Sequence, residues 1–381
     1  MAAQSFLPLE GIVVVAIEQA VAAPFCSARL ADAGARVIKI ERPEGDFARG
    51  YDDVASGQSS YFVWLNRGKE SVVADLATSE GRELLDGLIS GADVVIQNLK
   101  PGALDRLGFA APELRRRYPR LIVCSISGYG ECGPMANRKA YDLLIQAESG
   151  LSSITGGPDG PARVGISIVD IATGATAYSA ILEALMSRDK IGEGADIRVS
   201  MFDVIAEWLT VPLLHAQNGK PPQRIGLAHP SISPYGVFKT RDGKDLLISI
   251  QSDREWTKFA TEFLKDASLA GDPRFSTNVA RVTNRAETDT TVAAAFARLD
   301  QSAAVELLAR ADVAFASVND MAALAEHPHL RQVTIDTPVG PIALPAPAPI
   351  VTGTQRRYGA VPAIGEHADL SVVIRRREAL S

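Results

Sequence analysis

Cysteine is scarce in this sequence. Three occur in 381 residues, Cys26, Cys124 and Cys132, an odd number with no CxxC pair. That pattern argues against a disulfide framework and against a zinc site, and it fits a reducing compartment. No basic block is present either. The net charge is -6, with 39 Lys and Arg against 45 Asp and Glu. Nucleic acid and anionic membranes are therefore not the expected partners. The N-terminus, MAAQSFLPLEGIVVVAIEQ, has no cationic leader before its apolar run. No apolar stretch approaches the ~20 residues of a spanning helix. The expectation is a cytoplasmic protein without a membrane partner.

Several chemical motifs are missing as well. An N-terminal strand, helix and second strand invite a dinucleotide reading, with Glu41 where a ribose contact would fall. But the intervening turn, QAVAA, has no glycine. The GxGxxG fingerprint needs glycines so that backbone can approach a pyrophosphate. ITGGPDGPAR has glycines, but no Lys-Ser/Thr follows, so it reads as a surface turn. There is no GxSxG elbow for a serine hydrolase. The five histidines, His215, His229, His327, His329 and His367, form no metal-ligand spacing.

What is present is α/β alternation. Apolar runs at 11–18, 35–42, 71–77, 93–99 and 120–130 read as strands, with helices between them such as 24–34 and 79–92. Apolar strands without alternation, separated by helices, predict a parallel sheet covered on both faces. From 141 the pattern turns helical, at 141–151, 170–189 and 201–218. The Gly- and Pro-rich stretch 219–233 reads as a linker. Two strands around Asp242-Gly243 then open a smaller α+β domain over 234–324. After 330 the chain is Pro-rich and extended, and the tail ends in a helix. The large domain is expected from 1–218 and 325–381.

One carboxylate draws attention. Asp170, in GISIVDIATGATAYSA, sits among small and apolar residues at a predicted helix start. Asp there is a preferred N-cap. It is also ionised, held and approachable, which are the requirements of a carboxylate nucleophile, and Gly174 leaves room nearby. The residues alone favour the cap over the nucleophile.

Several stretches in order decide more. LPLEGIVVVAIEQAVAAPFCSARLADAGARVIKIERPEGD, NRGKESVVADL, QNLKPGALDRLGF, SGYGECGP, RKAYD, GISIVDIATG, SPYGVFKTRDG and VPAIGEHADL together resemble the class III CoA-transferases, the CaiB/BaiF family. The resemblance spans nearly the whole chain. It implies a Rossmann-like α/β domain made from both chain ends with a smaller inserted domain, and an interlocked homodimer. It implies CoA transfer between carboxylic acids, with coenzyme A as co-substrate, no bound cofactor and no metal. The family aspartate falls on Asp170.

CoA contacts carry over onto Arg42, Lys69, Asn98, Leu99, Arg106 and Lys139. Three phosphate groups on CoA need such a cluster of cations. Gln19, Tyr141, Asp142, Arg49 and His229 are the candidate substrate contacts. The sequence departs from the formyl-CoA:oxalate members at Val21, where they have a shielding glutamine. It also lacks their tetraglycine run, so oxalate and formate are not the expected acids. An α-methylacyl-CoA racemase is the alternative. Its histidine falls on Tyr141, and a phenol of pKa ~10 is a poor two-way proton shuttle. A non-catalytic acyl-CoA binding protein, with Asp170 only a cap, is a third reading. Polar residues in RIGLAHPSISPYG, among them Arg224, His229, Ser231 and Ser233, suit an acid with a second carboxylate such as succinyl-, itaconyl-, malyl- or mesaconyl-CoA. They equally suit bonding within the linker itself.

Overall fold

The computed structural model describes residues 7–354 and 356–367. Six strands form one parallel sheet: β1 (Val13–Ile17), β2 (Arg36–Glu41), β3 (Lys69–Val73), β4 (Val94–Gln97), β5 (Ile122–Ser127) and β6 (Asp196–Ser200). Their spatial order is β3-β2-β1-β4-β5-β6. All five residues of β1 are buried, because apolar clusters cover both faces of the sheet. One face packs against the helices Ala22–Asp32 and Ile168–Ile191.

The strand order reverses between β1 and β4. In such sheets the crevice beyond the carboxyl ends at that reversal is where ligands bind. Here the crevice is pinned by one side chain. Asn98, just past β4, accepts from the Gln19 backbone N–H at 3.0 Å and donates to the Gln19 carbonyl at 2.8 Å.

The chain divides into two compact units. The first is 1–151, 163–211 and 331–381; the second is 152–162 and 212–330. The division differs from the expected one at 152–162, which belongs to the second unit, and it falls at 211 rather than 218. Within the second unit β7 (Tyr235–Lys239), β8 (Asp245–Ser249) and β9 (Ala314–Ser317) form an antiparallel sheet over the Trp256 and Phe259 core.

Other departures have local causes. β3 starts at Lys69, directly after Gly68 at φ +70°, two residues earlier than its apolar run suggested. β6 escaped notice because DIRVS is a short, half-exposed edge strand. The helix expected over 201–218 breaks at Leu209, so that the second piece, Thr210–Gln217, takes Pro212 in its first turn, where a missing N–H costs nothing. The expected C-terminal helix lies outside the described residues.

The helix Ile168–Ile191 is long and apolar enough to cross a membrane by length and composition, contrary to the expectation of no such stretch. Its apolarity has another use. Val169, Ala172, Ala177 and Ile181 are buried in the first unit's core.

Candidate active site

The Ile168–Ile191 helix begins two residues before the expected start, so Asp170 lies in its first turn and is not its cap. Ser167 occupies the cap position without a side-chain bond. Asp142, from the helix Asp142–Glu148, does the capping instead. Its Oδ1 accepts from the Val169 N–H at 2.7 Å and the Asp170 N–H at 3.2 Å, and its Oδ2 accepts from Gln146 Nε2 at 2.6 Å. The Val169 and Asp170 amides at this helix start are thus already occupied and are not open to an oxyanion.

Gly174 does not leave room for a ligand. A Cβ there would meet the Ala22 carbonyl oxygen at 2.4 Å and the Phe25 Cβ at 2.9 Å. The glycine instead lets the Ala22–Asp32 helix approach, which brings Val21 and Ala22 into the same cavity wall as Asp170. That helix opens without a side-chain cap, so its first-turn amides have no such partner.

The cavity holds about 540 Å³ and is lined on one side by Gln19, Ala20, Val21 and Leu99, and on others by Tyr51, Tyr141, Arg163 and Asp170. A second cavity of about 270 Å³ is lined by Ile40, Arg42, Ala74, Leu76 and Leu107. Gln19 and Leu99, at the switch point, border both cavities.

Two carboxylates face the larger cavity. Asp142 is engaged with three donors. The Asp170 carboxylate has no hydrogen-bond or ionic partner among the described residues. Burial, and then the Asp142 charge, push its pKa up to about 7. An unpaired, partly desolvated carboxylate at the bottom of a ligand-sized cavity is a nucleophile or a base.

Residues 9–368 match the profile described as CoA-transferase family III. The chain belongs to that family. A succinate–glutarate CoA-transferase of Agrobacterium fabrum is 41% identical over 290 residues, which cover 74% of this chain and 72% of the relative. An acetyl-CoA:oxalate CoA-transferase of Acetobacter aceti is 38% identical over 325 residues, covering 84% and 83%. Among solved structures, a CAIB/BAIF family protein from Brucella suis superposes with a TM-score of 0.81 at 35% identity, over 97% of this chain and 99% of that one.

The structure sorts the candidate CoA contacts of the transferase. Arg42 is exposed and lines the second cavity, and Lys139 is exposed and lines the first. Arg106 is exposed beside Leu107. Lys69 must be withdrawn. Its side chain is fully buried, with Nζ at 2.7 Å from Glu18 Oε1, 3.1 Å from Asn66 Oδ1 and 3.2 Å from the Pro24 carbonyl. Burial and the neighbouring Lys39 push its pKa down to about 8, against the pull of Glu18. It stabilises the base of the loop after β1 and cannot reach a phosphate. Asn98 lines the cavity, but its amide holds the Gln19 backbone.

Two of the candidate substrate contacts also change. Arg49 is committed to Glu41, with Nε donating to Oε2 at 2.8 Å and Nη2 to Oε1 at 2.7 Å, and its guanidinium sits 3.7 Å from the Phe62 ring centroid. It is a structural ion pair. His229 belongs to the second unit, where it stacks on Tyr235 and its Nδ1 accepts from the Ser231 N–H at 3.2 Å. Arg224 donates to the carbonyls of Ser153 and Gly157. His229 is thus engaged by the linker and the strand that follows it, and Arg224 ties the linker to residues 153–157. Gln19, Tyr141 and Asp142 all line the larger cavity.

Arg163, Tyr51 and Tyr61 lie in no motif that marks them in the sequence. All three line the Asp170 cavity. Arg163 ends the glycine-rich stretch ITGGPDGPAR, which reads as a surface turn. Its side chain donates to the Val164 and Gly165 carbonyls at 3.1 and 3.2 Å. It is exposed and has no acidic partner among the described residues.

The raised Asp170 pKa has a kinetic consequence. If its ionised form attacks, kcat/KM falls about tenfold per pH unit once the pH drops below about 7. Replacing Asp142 by Asn removes the like charge and leaves the burial. The midpoint should then move down while staying above an ordinary aspartate. A pH profile of kcat/KM for both proteins measures this, and an unshifted midpoint in the variant refutes the coupling.

Proposed function

We propose that this transferase moves CoA between an acyl-CoA and a short dicarboxylic acid, with Asp170 as the covalent carrier. The observation that carries the reading is the contrast between the two cavity carboxylates. Asp142 is tied by three hydrogen bonds, and Asp170 is free to react.

The cycle follows from that. An Asp170 oxygen attacks the thioester carbonyl, the C–S bond breaks, and CoA leaves as thiolate, giving a mixed anhydride. The thiolate attacks the aspartyl carbonyl, releases the donor acid as carboxylate and leaves an aspartyl-CoA thioester. The acceptor carboxylate attacks that thioester and forms a second anhydride. The thiolate then attacks the acceptor carbonyl, and Asp170 is regenerated. One thioester is consumed and one is made, so no ATP is required. First-turn amides of the Ala22–Asp32 helix are the candidate donors to the developing oxyanion. Arg42, Arg106 and Lys139 are the exposed cations suited to CoA phosphates.

The substrate class rests on Arg163 and on relatives named for succinate, glutarate and oxalate. An exposed guanidinium lining the same cavity as the nucleophile suits a second carboxylate through charge-assisted hydrogen bonds. The homodimer implied by the resemblance belongs to the same reading, with exposed Met186 and Trp208 of the first unit as surface for the second copy to cover. Light scattering on the purified protein would report a monomer if that is wrong.

The test is an exchange assay. Succinyl-CoA with glutarate should give glutaryl-CoA and free succinate, and omission of the acid should stop turnover. Conversion of acyl-CoA without an acceptor would contradict transfer.

A further inference from the structure

Gln146 is polar yet fully buried, one helical turn after Asp142, which lines the Asp170 cavity. Both ends of its amide are used. Nε2 donates to Asp142 Oδ2 at 2.6 Å, and Oε1 accepts from the Val164 N–H at 2.9 Å. Asp142 in turn accepts from the Val169 and Asp170 N–H groups. One side chain therefore ties together three separate pieces of the cavity: the helix carrying Asp142, the turn carrying Arg163 and the first turn of the helix carrying Asp170.

The chemistry admits no swap. The Val164 N–H can only donate, and a carboxylate oxygen of Asp142 can only accept. The residue between them must accept at one end and donate at the other, in that orientation. A side-chain amide does this from two separate atoms at every pH. We propose that Gln146 is a positioning residue of the transferase: it holds the Asp142 carboxylate against the start of the Asp170 helix and holds the Arg163 turn in register with it. The proposal rests on Asp170 being the nucleophile, as argued above.

Charged groups around this relay come from each neighbouring element. Asp142 shares its helix, where Glu148 pairs with Arg138 at the surface. Asp170 comes from the long helix and Arg163 from the turn before it. Asp203 and Glu207, on the helix Met201–Trp208 packed behind, are solvent-exposed. Tyr51 and Tyr141 face the same cavity. None of these replaces the amide as a partner of Asp142 Oδ2.

Gln146→Glu keeps the shape and makes the relay depend on a proton. Protonated, the introduced carboxyl still donates to Asp142 and accepts from Val164. Ionised, it sets two carboxylates against each other, and Asp142 has to leave the Val169 and Asp170 amides. We expect kcat in Gln146→Glu to fall at least tenfold below wild type at pH 8 and to recover to within threefold at pH 6, with the KM for succinyl-CoA within threefold of wild type at both. Wild-type activity runs the other way, rising with pH. Gln146→Met, which can make neither bond, should be impaired at both pH values.

Thermal melting reads the relay without any turnover. In Gln146→Glu the new carboxyl is buried beside Asp142, so its folded-state pKa is raised above that of the unfolded chain. The unfolded state then binds fewer protons over pH 5 to 8, so stability falls relative to wild type as the pH rises. The melting temperatures of wild type and Gln146→Glu should therefore diverge with increasing pH. A Gln146→Glu profile with the wild-type shape, a kcat within threefold at pH 8, or a constant melting difference overturns the proposal. If wild type itself transfers no CoA, the functional reading fails, and the melting experiment still decides the relay.

Discussion

Asp170→Asn should abolish CoA transfer, by roughly 10³-fold or more, the scale on which loss of a covalent nucleophile is felt. The amide keeps the volume of the side chain and loses the attacking oxygen. Wild type incubated with succinyl-CoA should gain the mass of CoA, less water, on a peptide containing Asp170. Hydroxylamine should remove it, because an aspartyl thioester is open to amine attack. The variant should show neither adduct nor turnover. Stability should move in the opposite sense. The native pKa of Asp170 is raised to about 7, so its charged form is disfavoured by folding above that pH. Removing the charge should leave the melting temperature at pH 8 unchanged or higher. A residue that weakens the fold in the form that reacts is the pattern expected of a site. Full activity in Asp170→Asn, or CoA labelling at another carboxylate, would end the assignment.

Arg163→Met should collapse the preference for dicarboxylates. Succinyl-CoA and butyryl-CoA differ by one terminal carboxylate, so the ratio of their kcat/KM values isolates recognition of that group. A charge-assisted hydrogen bond contributes about 1.5–3 kcal/mol, which is about 10- to 150-fold in the ratio. Wild type should favour succinyl-CoA by such a factor, and Arg163→Met should bring the two together mainly by loss on succinyl-CoA. Methionine retains the length and apolar bulk of the arginine stem, so a packing defect would lower both substrates alike. A ratio unchanged by the substitution removes Arg163 from the acid site. A wild type that prefers butyryl-CoA removes the dicarboxylate itself.

The local pattern of the chain was enough for the α/β alternation, since buried parallel strands must be apolar on both faces and GIVVVAIE, DVVIQNL and RLIVCSIS are. It was enough to single out Asp170, because an acid among small residues at a helix start is conspicuous. The ordered motifs carried the family. What sequence could not decide was which polar groups are already partnered. Lys69 and Arg163 are both isolated cations in the text of the chain. Only the fold sets Lys69 against Glu18, 51 residues away, in a dry core, and leaves Arg163 open in the cavity. Asp142 and Asp170 likewise look alike until the chain brings them together across 28 residues and gives one of them the other's backbone amide. Covalent neighbours determine periodicity and therefore secondary structure. The state of a charge depends on its solvation and on the nearest opposite charge or hydrogen-bond donor, and in a folded chain those come from distant segments.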